Sequence, residues 1–453
     1  MNKGEIRTIK IRDLAHGGDG VGKSAEGKTI FVPYTAPGDL VKVKITKDKK
    51  NYAFAEITDI LKYSEMRTDA PCPVYGDCGG CQIQHIKYNE ELNLKKKNIN
   101  DLMSRIGSQE NYQINNVKAS PDEFRYRNKA QFPLKADDEG IISAGFYRRG
   151  SHQVVPYNNC LIQHPLINRI LRETLSELNK EQISVYNEQN NLGLLRHLII
   201  RVGVCTNQAL LIFVTNGDFF PEKELITANL MDKIPELKGV VQNINEKDTN
   251  VIFGSRSKLL SGQNFIKDYI GNKVYKISTR SFFQVNTLQA EKLYVTAAEF
   301  LGESKEDNII DAYSGTGSIA VYLAEKVKKV FAVESLASAV KDGRENAELN
   351  NIQNIEFIKA DVENVLPQLL ENENIDTIIF DPPRKGLDSE TIEMLNEMGI
   401  KKIIYISCNP STQARDINKL SKTYKLQKIQ PVDLFPQTYH IESVALLEKK
   451  HHS

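Results

Sequence analysis

Five short apolar runs in the last third of the chain, each followed by a helical stretch, restrict its architecture more than anything else in the sequence. They are Asn308-Ile309-Ile310-Asp311, Lys329-Val330-Phe331-Ala332-Val333-Glu334, Ile355 to Asp361, Thr377-Ile378-Ile379-Phe380-Asp381, and Lys402 to Cys408. Runs this apolar have no wet face, so they predict parallel strands covered on both sides by the intervening helices. Residues 286–453 are therefore expected to form an α/β, Rossmann-like domain. In an open parallel sheet, ligands bind at the carboxyl ends of the strands. Here those ends carry Asp311, Glu334, Asp361, Asp381 and Cys408. A single carboxylate there could simply cap a helix; polar or reactive residues at all five ends point to a site.

The rest of the chain reads differently. Residues 1–60 alternate apolar and polar positions in short runs split by glycine turns, such as His16-Gly17-Gly18-Asp19-Gly20 and Ala36-Pro37-Gly38-Asp39. That pattern predicts a small β-barrel. Residues 61–285 read as a central α+β domain. It has a predicted helix from Gln82 to Ile106 containing Lys95-Lys96-Lys97, and predicted strands at Phe124–Leu134, Ile141–Tyr147 and Leu198–Val204.

Hydrophobic residues make up 40% and charged residues 26% of the 453, the proportions of a soluble globular protein. No apolar run reaches the roughly 18 residues that span a bilayer, and the start, Met1-Asn2-Lys3-Gly4-Glu5, lacks the apolar core of a secretory signal. A cytoplasmic monomer with no membrane contact and no obligate protein partner is expected. The net charge of +1 does not by itself announce a nucleic-acid partner. Local clusters do: Lys42, Lys44, Lys47, Lys49 and Lys50, then Arg125, Arg127 and Lys129, then Arg148 and Arg149. They are interleaved with Tyr52, Phe54, Phe124, Tyr126 and Tyr147. Clustered charge is usually solvated surface, but cations among aromatic rings suit RNA, where phosphate pairing and base stacking coexist.

The loop Asp311-Ala312-Tyr313-Ser314-Gly315-Thr316-Gly317-Ser318 supplies glycines between a strand and a helix, where the backbone can approach a ligand closely. Gly315 to Ala320 also fits the dinucleotide fingerprint, and Glu334 could accept bonds from the ribose of either NAD or S-adenosylmethionine. The fourth strand decides. Asp381-Pro382-Pro383-Arg384-Lys385-Gly386 is no nicotinamide motif, and Arg384 replaces the aromatic residue that amine-modifying methyltransferases stack on a base. The fifth strand then ends in Ser407-Cys408-Asn409-Pro410, a thiol beside the methyl donor. Carbon 5 of uracil is a poor nucleophile until a thiolate adds to carbon 6. A base must afterwards remove the carbon-5 proton. Glu442, in Tyr439-His440-Ile441-Glu442-Ser443-Val444, offers that base, with His440 as its neighbour. The bland alternatives are a buried structural cysteine and a surface carboxylate.

The sequence contains six cysteines. Cys72, Cys78 and Cys81 have the spacing Cys-x5-Cys-x2-Cys, and Cys160 could be a fourth ligand. Four thiolates suit zinc or a [4Fe-4S] cluster equally well by count. The spacing differs from the Cys-x3-Cys-x2-Cys of radical enzymes, which excludes that chemistry. Cys205 is expected in the core.

These motifs, together with Ser281-Phe282-Phe283-Gln284-Val285-Asn286 and Ser407 to Thr412, resemble the RNA uridine-5-methyltransferase family along essentially the whole chain. The resemblance implies a class I S-adenosylmethionine-dependent methyltransferase domain and a TRAM barrel at 1–60. It implies Cys408 as nucleophile and Glu442 as proton acceptor. Gln284, Tyr313, Glu334 and Asp381 fall at the family's S-adenosylmethionine positions. Asp311 and Gly315 come from the strand-end and glycine-loop readings, and Asp361 is added as an adenine contact. Cys72, Cys78, Cys81 and Cys160 match the ligands of a [4Fe-4S] cluster, in preference to zinc. The barrel and cysteines imply the 23S ribosomal-RNA branch. The same chemistry on transfer RNA, cytosine-5 methylation, and a non-catalytic iron–sulfur RNA-binding protein are the alternatives.

Overall fold

The computed structural model describes residues 1–450. Five strands, β1 (Ile6–Leu14), β2 (Gly20–Lys23), β3 (Thr29–Val32), β4 (Leu40–Asp48) and β5 (Tyr52–Lys62), close into a barrel in the order β1-β2-β3-β5-β4. Its alternating positions put Ile9, Ile11, Ile30, Val41, Val43 and Ile45 inside. On the outside, Lys42 and Lys44 of β4 stand opposite Asp59 and Glu56 of β5. Cross-strand partners of opposite sign neutralise one another, so this stretch is less cationic than its sequence suggests. Arg67 ties the barrel to the chain that follows. Its Nε lies 2.9 and 3.1 Å from the two oxygens of the buried Asp39, and Nη2 lies 2.7 Å from one of them.

Helix α1 (Tyr88–Arg105) begins six residues after the predicted start at Gln82. The residues between form turns, with Arg67 bridged to Ile86 and Gln82 and Ile83 engaged with Gln437. Ile99 and Met103 of α1 pack into a core shared with the C-terminal helices, and β6 (Gln113–Ile114) adds to the edge of the C-terminal sheet.

The central sheet comprises β7 (Lys129–Ala136), β8 (Ile142–Tyr147), β9 (Val154–Pro156), β10 (Leu195–Gly203), β11 (Gln208–Thr215), β12 (Leu237–Ile244) and β13 (Arg256–Gly262), in the order β13-β12-β11-β10-β7-β8-β9. Helices α2 (Pro165–Lys180) and α3 (Lys223–Lys233) cover one face. The other face packs on the hairpin β14 (Phe265–Ile270) and β15 (Lys273–Ser278), in one core with the C-terminal domain. The strand predicted from Phe124 starts only at Lys129. Arg125 takes a left-handed φ of 61°, which breaks extension and sends the Arg125 and Arg127 amides to the Leu161 and Ile162 carbonyls.

From α4 (Thr287–Leu301) onward strands and helices alternate: β16 (Ser304–Ala312), α5 (Ser318–Leu323), β17 (Val327–Glu334), α6 (Ala337–Leu349), β18 (Ile355–Lys359), α7 (Val362–Asn372), β19 (Ile375–Phe380), α8 (Ser389–Met398), β20 (Lys402–Ser407), α9 (Pro410–Leu420), β21 (Tyr424–Val432) and β22 (Glu442–Lys449). The sheet order is β18-β17-β16-β19-β20-β22-β21-β6. Strands β16 to β20 are mutually parallel and β22 runs against both neighbours. The order reverses direction on either side of β16, which opens a crevice beside its carboxyl end. This is the expected Rossmann-like α/β methyltransferase fold. No helix among the described residues is long and apolar enough to cross a membrane.

Replacing Asp39 with Ala would leave the Arg67 guanidinium facing a buried gap. A cost of about 3–5 kcal/mol is expected, readable as a lower thermal transition, with the barrel more open to proteolysis.

Candidate active site

The loop between β16 and α5 is shaped by backbone geometry that few residues tolerate. Tyr313, Gly315 and Gly317 have φ of 64°, 55° and 70°. A side chain at Gly317 would also meet the Phe357 ring at 2.8 Å. Glu334, at the end of β17, accepts the Gly315 amide at 3.0 Å and the Leu336 amide at 2.8 Å. A cavity of about 460 Å³ opens here, bounded by Gly315, Thr316, Glu334 and Leu336 on one side and by Arg280, Ser281 and Phe282 on the other. Tyr313 rests against Phe380. Gln284 is buried where the central sheet meets α4; its carbonyl accepts a bond from Asn128 at 2.8 Å.

Of the seven expected cofactor residues, Gly315 and Glu334 line this cavity, and Gln284, Tyr313, Asp381, Asp311 and Asp361 lie outside its lining. Asp311 is sealed beneath the loop, with one oxygen on the Ala320 amide at 2.9 Å, so it anchors α5 from below. Burial pushes its carboxyl up to about 8. Asp361 lies past the end of β18, exposed at the start of α7, and its side chain makes no capping bond.

Cys408 and Glu442 are brought to the same end of the sheet. Ser407 of β20 pairs with Ser443 of β22, so Cys408 and Glu442 lie across from each other at the strand ends. Asp381, just beyond β19, completes the group. Cys408 is partly exposed, whereas Glu442 is only 4% exposed. Burial, then the charges of Glu442 and Asp381, push the Cys408 thiol up to about 11, while Arg384 pulls it down. Burial and then Asp381 hold the Glu442 carboxyl well above its usual range, and burial raises Asp381 to about 7. Arg384 is the cation of the site, and sequence reasoning noticed it only as a missing aromatic. Its carbonyl accepts from Asn409 Nδ2 at 3.0 Å and Thr412 Oγ1 at 3.2 Å, which locks the Asp-Pro-Pro-Arg segment to the start of α9. Its Nη2 lies 3.3 Å from His440. Burial and then Arg384 push that imidazole down to about 3, so it is neutral.

The cysteine loop forms a separate feature. Cys72, Cys78, Cys81 and Cys160 line one cavity of about 70 Å³ together with Tyr75 and the Arg127 guanidinium. Burial pushes the Cys81 thiol up to about 12 and Cys160 to about 11. Among the described residues no three Cys, His, Asp or Glu side chains are gathered closely enough to hold a single metal ion. Cys205 is not in the core: β10 ends at Gly203, and Cys205 sits exposed in the following turn with its amide on Asp268 at 2.8 Å.

Comparison with known proteins gives the family. Residues 87–450 match the model of the tRNA (uracil-5-)-methyltransferase family, and residues 2–58 match the TRAM domain. The chain belongs to the tRNA (uracil-5-)-methyltransferase family. The family match begins at the residue before α1. A Bacillus cereus protein named as an RNA methyltransferase is 42% identical, over 99% of this chain and 98% of its own length. A Staphylococcus aureus RNA methyltransferase is 39% identical over 99% of both. Among solved structures, the Pyrococcus abyssi tRNA (uracil-54, C5)-methyltransferase in complex with S-adenosyl-L-homocysteine superposes with a TM-score of 0.79. It is 29% identical and covers 97% of this chain and 99% of its own. That transfer-RNA enzyme spans the same architecture from end to end, so the length and domain content of a chain do not alone assign a family member to ribosomal RNA.

The electrostatics of Cys408 can be checked without substrate. Alkylation of the Cys408 peptide by iodoacetamide, followed by mass spectrometry across pH, should rise with a midpoint near 11. Glu442→Gln removes a neighbouring negative charge and should lower the midpoint; Arg384→Gln should raise it.

Proposed function

We propose that this protein methylates carbon 5 of a uridine in RNA, with 23S ribosomal RNA as the substrate and S-adenosylmethionine as the methyl donor. The observation that carries the reading is the placement of Cys408 opposite Glu442, at the end of the sheet that also holds the glycine loop. The cavity beside Gly315, Glu334 and Leu336 has the size of a small-molecule site, and Gln284, Tyr313 and Asp381 flank the same end of the sheet. Bound there, S-adenosylmethionine supplies an electrophilic methyl on a sulfonium.

The protein's own groups then have defined tasks. The thiol of Cys408 must lose its proton before it can add to carbon 6; Arg384 favours the thiolate, whereas Glu442 and Asp381 oppose it. Addition makes carbon 5 nucleophilic. Carbon 5 takes the methyl as the sulfonium sulfur–methyl bond breaks and the neutral thioether leaves, so carbon 5 then carries both a methyl and a hydrogen. Glu442 takes that proton, the carbon 5–carbon 6 double bond re-forms, and the Cys408 sulfur leaves. The buried position of Glu442 makes its carboxylate a stronger base than an exposed one. Reaching a uridine in folded RNA requires unstacking it, which favours a loop or an opened helix.

For the cysteines we infer a [4Fe-4S] cluster as the occupant. Cys72, Cys78, Cys81 and Cys160, which line one cavity, would hold it through their thiolates. The shared cavity and the half-buried Arg127 beside it suit such an anionic group. Anaerobically purified protein should be brown and contain iron; Cys81→Ser should be colourless. Colourless wild-type protein without iron would refute this.

A transfer-RNA substrate is the second reading, favoured by the Pyrococcus abyssi structure. Mapping 5-methyluridine in both RNAs from a strain lacking the protein separates the two, and nucleoside analysis of the product excludes or reveals 5-methylcytidine. Cys408→Ala should bind RNA and transfer no methyl, while Glu442→Gln should accumulate a protein–RNA adduct that survives denaturation. Normal turnover by Cys408→Ala would end the proposal.

A further inference from the structure

The segment that delivers His440 and Glu442 to the site is held largely by residues far away in sequence. Helix α1 buries Glu91, Lys95, Ile99 and Met103, one stripe at four-residue spacing. Its second half is apolar, as a packed face should be. Its first half is charged. Lys95 Nζ lies 2.7 Å from Glu91 Oε1, 2.7 Å from Asp433 Oδ1 and 3.2 Å from the Phe435 carbonyl. The Tyr88 hydroxyl donates to the other oxygen of Asp433 at 2.9 Å. Both oxygens of Glu91 accept the Gln437 amide, at 3.0 and 3.3 Å. Gln437 needs such a partner: its φ is 68°, a left-handed conformation that a residue with a side chain adopts at a cost. Glu91, Lys95 and Asp433 are 0%, 4% and 0% exposed. Buried ion groups of this kind are often matched or bettered in stability by apolar residues of similar volume, so stability alone does not account for them.

We infer that Glu91, Lys95 and Asp433 form a positioning triad for the base of the reaction. They pin the turn Asp433–Gln437 so that the chain enters β22 with the Glu442 carboxyl facing the target ring. The inference rests on the reading of Glu442 as the group that removes the carbon-5 proton. None of the three touches the reacting atoms. Their effect should therefore fall on release of the product and leave formation of the covalent adduct alone.

Glu91→Met tests this in the full-length protein. It leaves Lys95 and Asp433 paired, so no orphan charge is buried, while the Gln437 amide loses its acceptor. A single-turnover assay with labelled RNA should show adduct forming at about the wild-type rate. Steady-state turnover should fall about tenfold to a hundredfold, the range expected from one unsatisfied buried amide. KM for RNA should fall together with turnover, leaving kcat/KM near the wild-type value, and a denaturation-resistant adduct should accumulate. Glu91→Gln, which keeps the shape, should give an intermediate adduct level and serves as the second variant if Met disturbs folding. Glu442→Gln runs alongside. If Glu442→Gln traps the adduct while both Glu91 variants turn over normally, or lose adduct formation and turnover together, the triad has no positioning role. If Glu442→Gln itself traps nothing, the assignment of the base fails, and the inference fails with it.

Discussion

Ser407 faces Ser443 across the antiparallel ladder between β20 and β22, and that register governs the chemistry of the protein. Side chains alternate faces along a strand, so a slip of one residue would turn the neighbouring groups to opposite sides of the sheet. The register is well protected. Ile403, Ile404, Tyr405 and Ile406 on β20 and Val444, Ala445 and Leu447 on β22 are all fully buried. The Tyr405 hydroxyl also bonds Asp416 at 2.8 Å, and Ser443 Oγ bonds Gln413 at 2.7 Å, which fixes the ladder to α9 as well. The thiol and the carboxylate thus inherit their alignment from the hydrophobic core that holds β20 and β22 in register.

The electrostatic setting works against ionisation of the Cys408 thiol. Two carboxylates stand near Cys408, and burial opposes its charge as well; only Arg384 favours it. At neutral pH the resting thiol therefore keeps its proton. A neutral thiol in a partly exposed pocket is protected from oxidation and alkylation, since the thiolate is the reactive form. The neutral His440 against Arg384 adds no second cation to change this balance.

Much of this was legible in the sequence where the physics is local. The strands of the C-terminal sheet are apolar on both faces, and no other element produces such runs between helices. The motif residues at their ends follow from the same logic. The illegible parts depend on contacts between distant segments. β6 is two residues long and has no periodicity to read; its pairing with Lys428 and Ile429 creates it. Arg125 reads as part of a strand but turns left-handed because the backbone around Cys160 takes its amide. Cys205 follows an unbroken apolar run yet stands just past the end of it. Asp311 lies at the end of β16 as read but is buried beneath the glycine loop, and Asp361 lies past the end of β18, immediately before α7. Lys42 and Lys44 of β4 stand opposite acidic residues on β5, a pairing the sequence does not display, whereas Lys47 stands opposite Phe54.

The short strand β6 has one more implication. It lies along the outer edge of β21, and α1 packs on the helices behind the same sheet. A fragment starting at residue 286 would lose both. The unpaired amides and carbonyls of β21 would then form an open edge, ready to zip onto another copy of itself. Such a fragment would tend to precipitate even with every reactive residue intact, so the smallest soluble catalytic unit has to begin before α1, at about the point where the family resemblance begins.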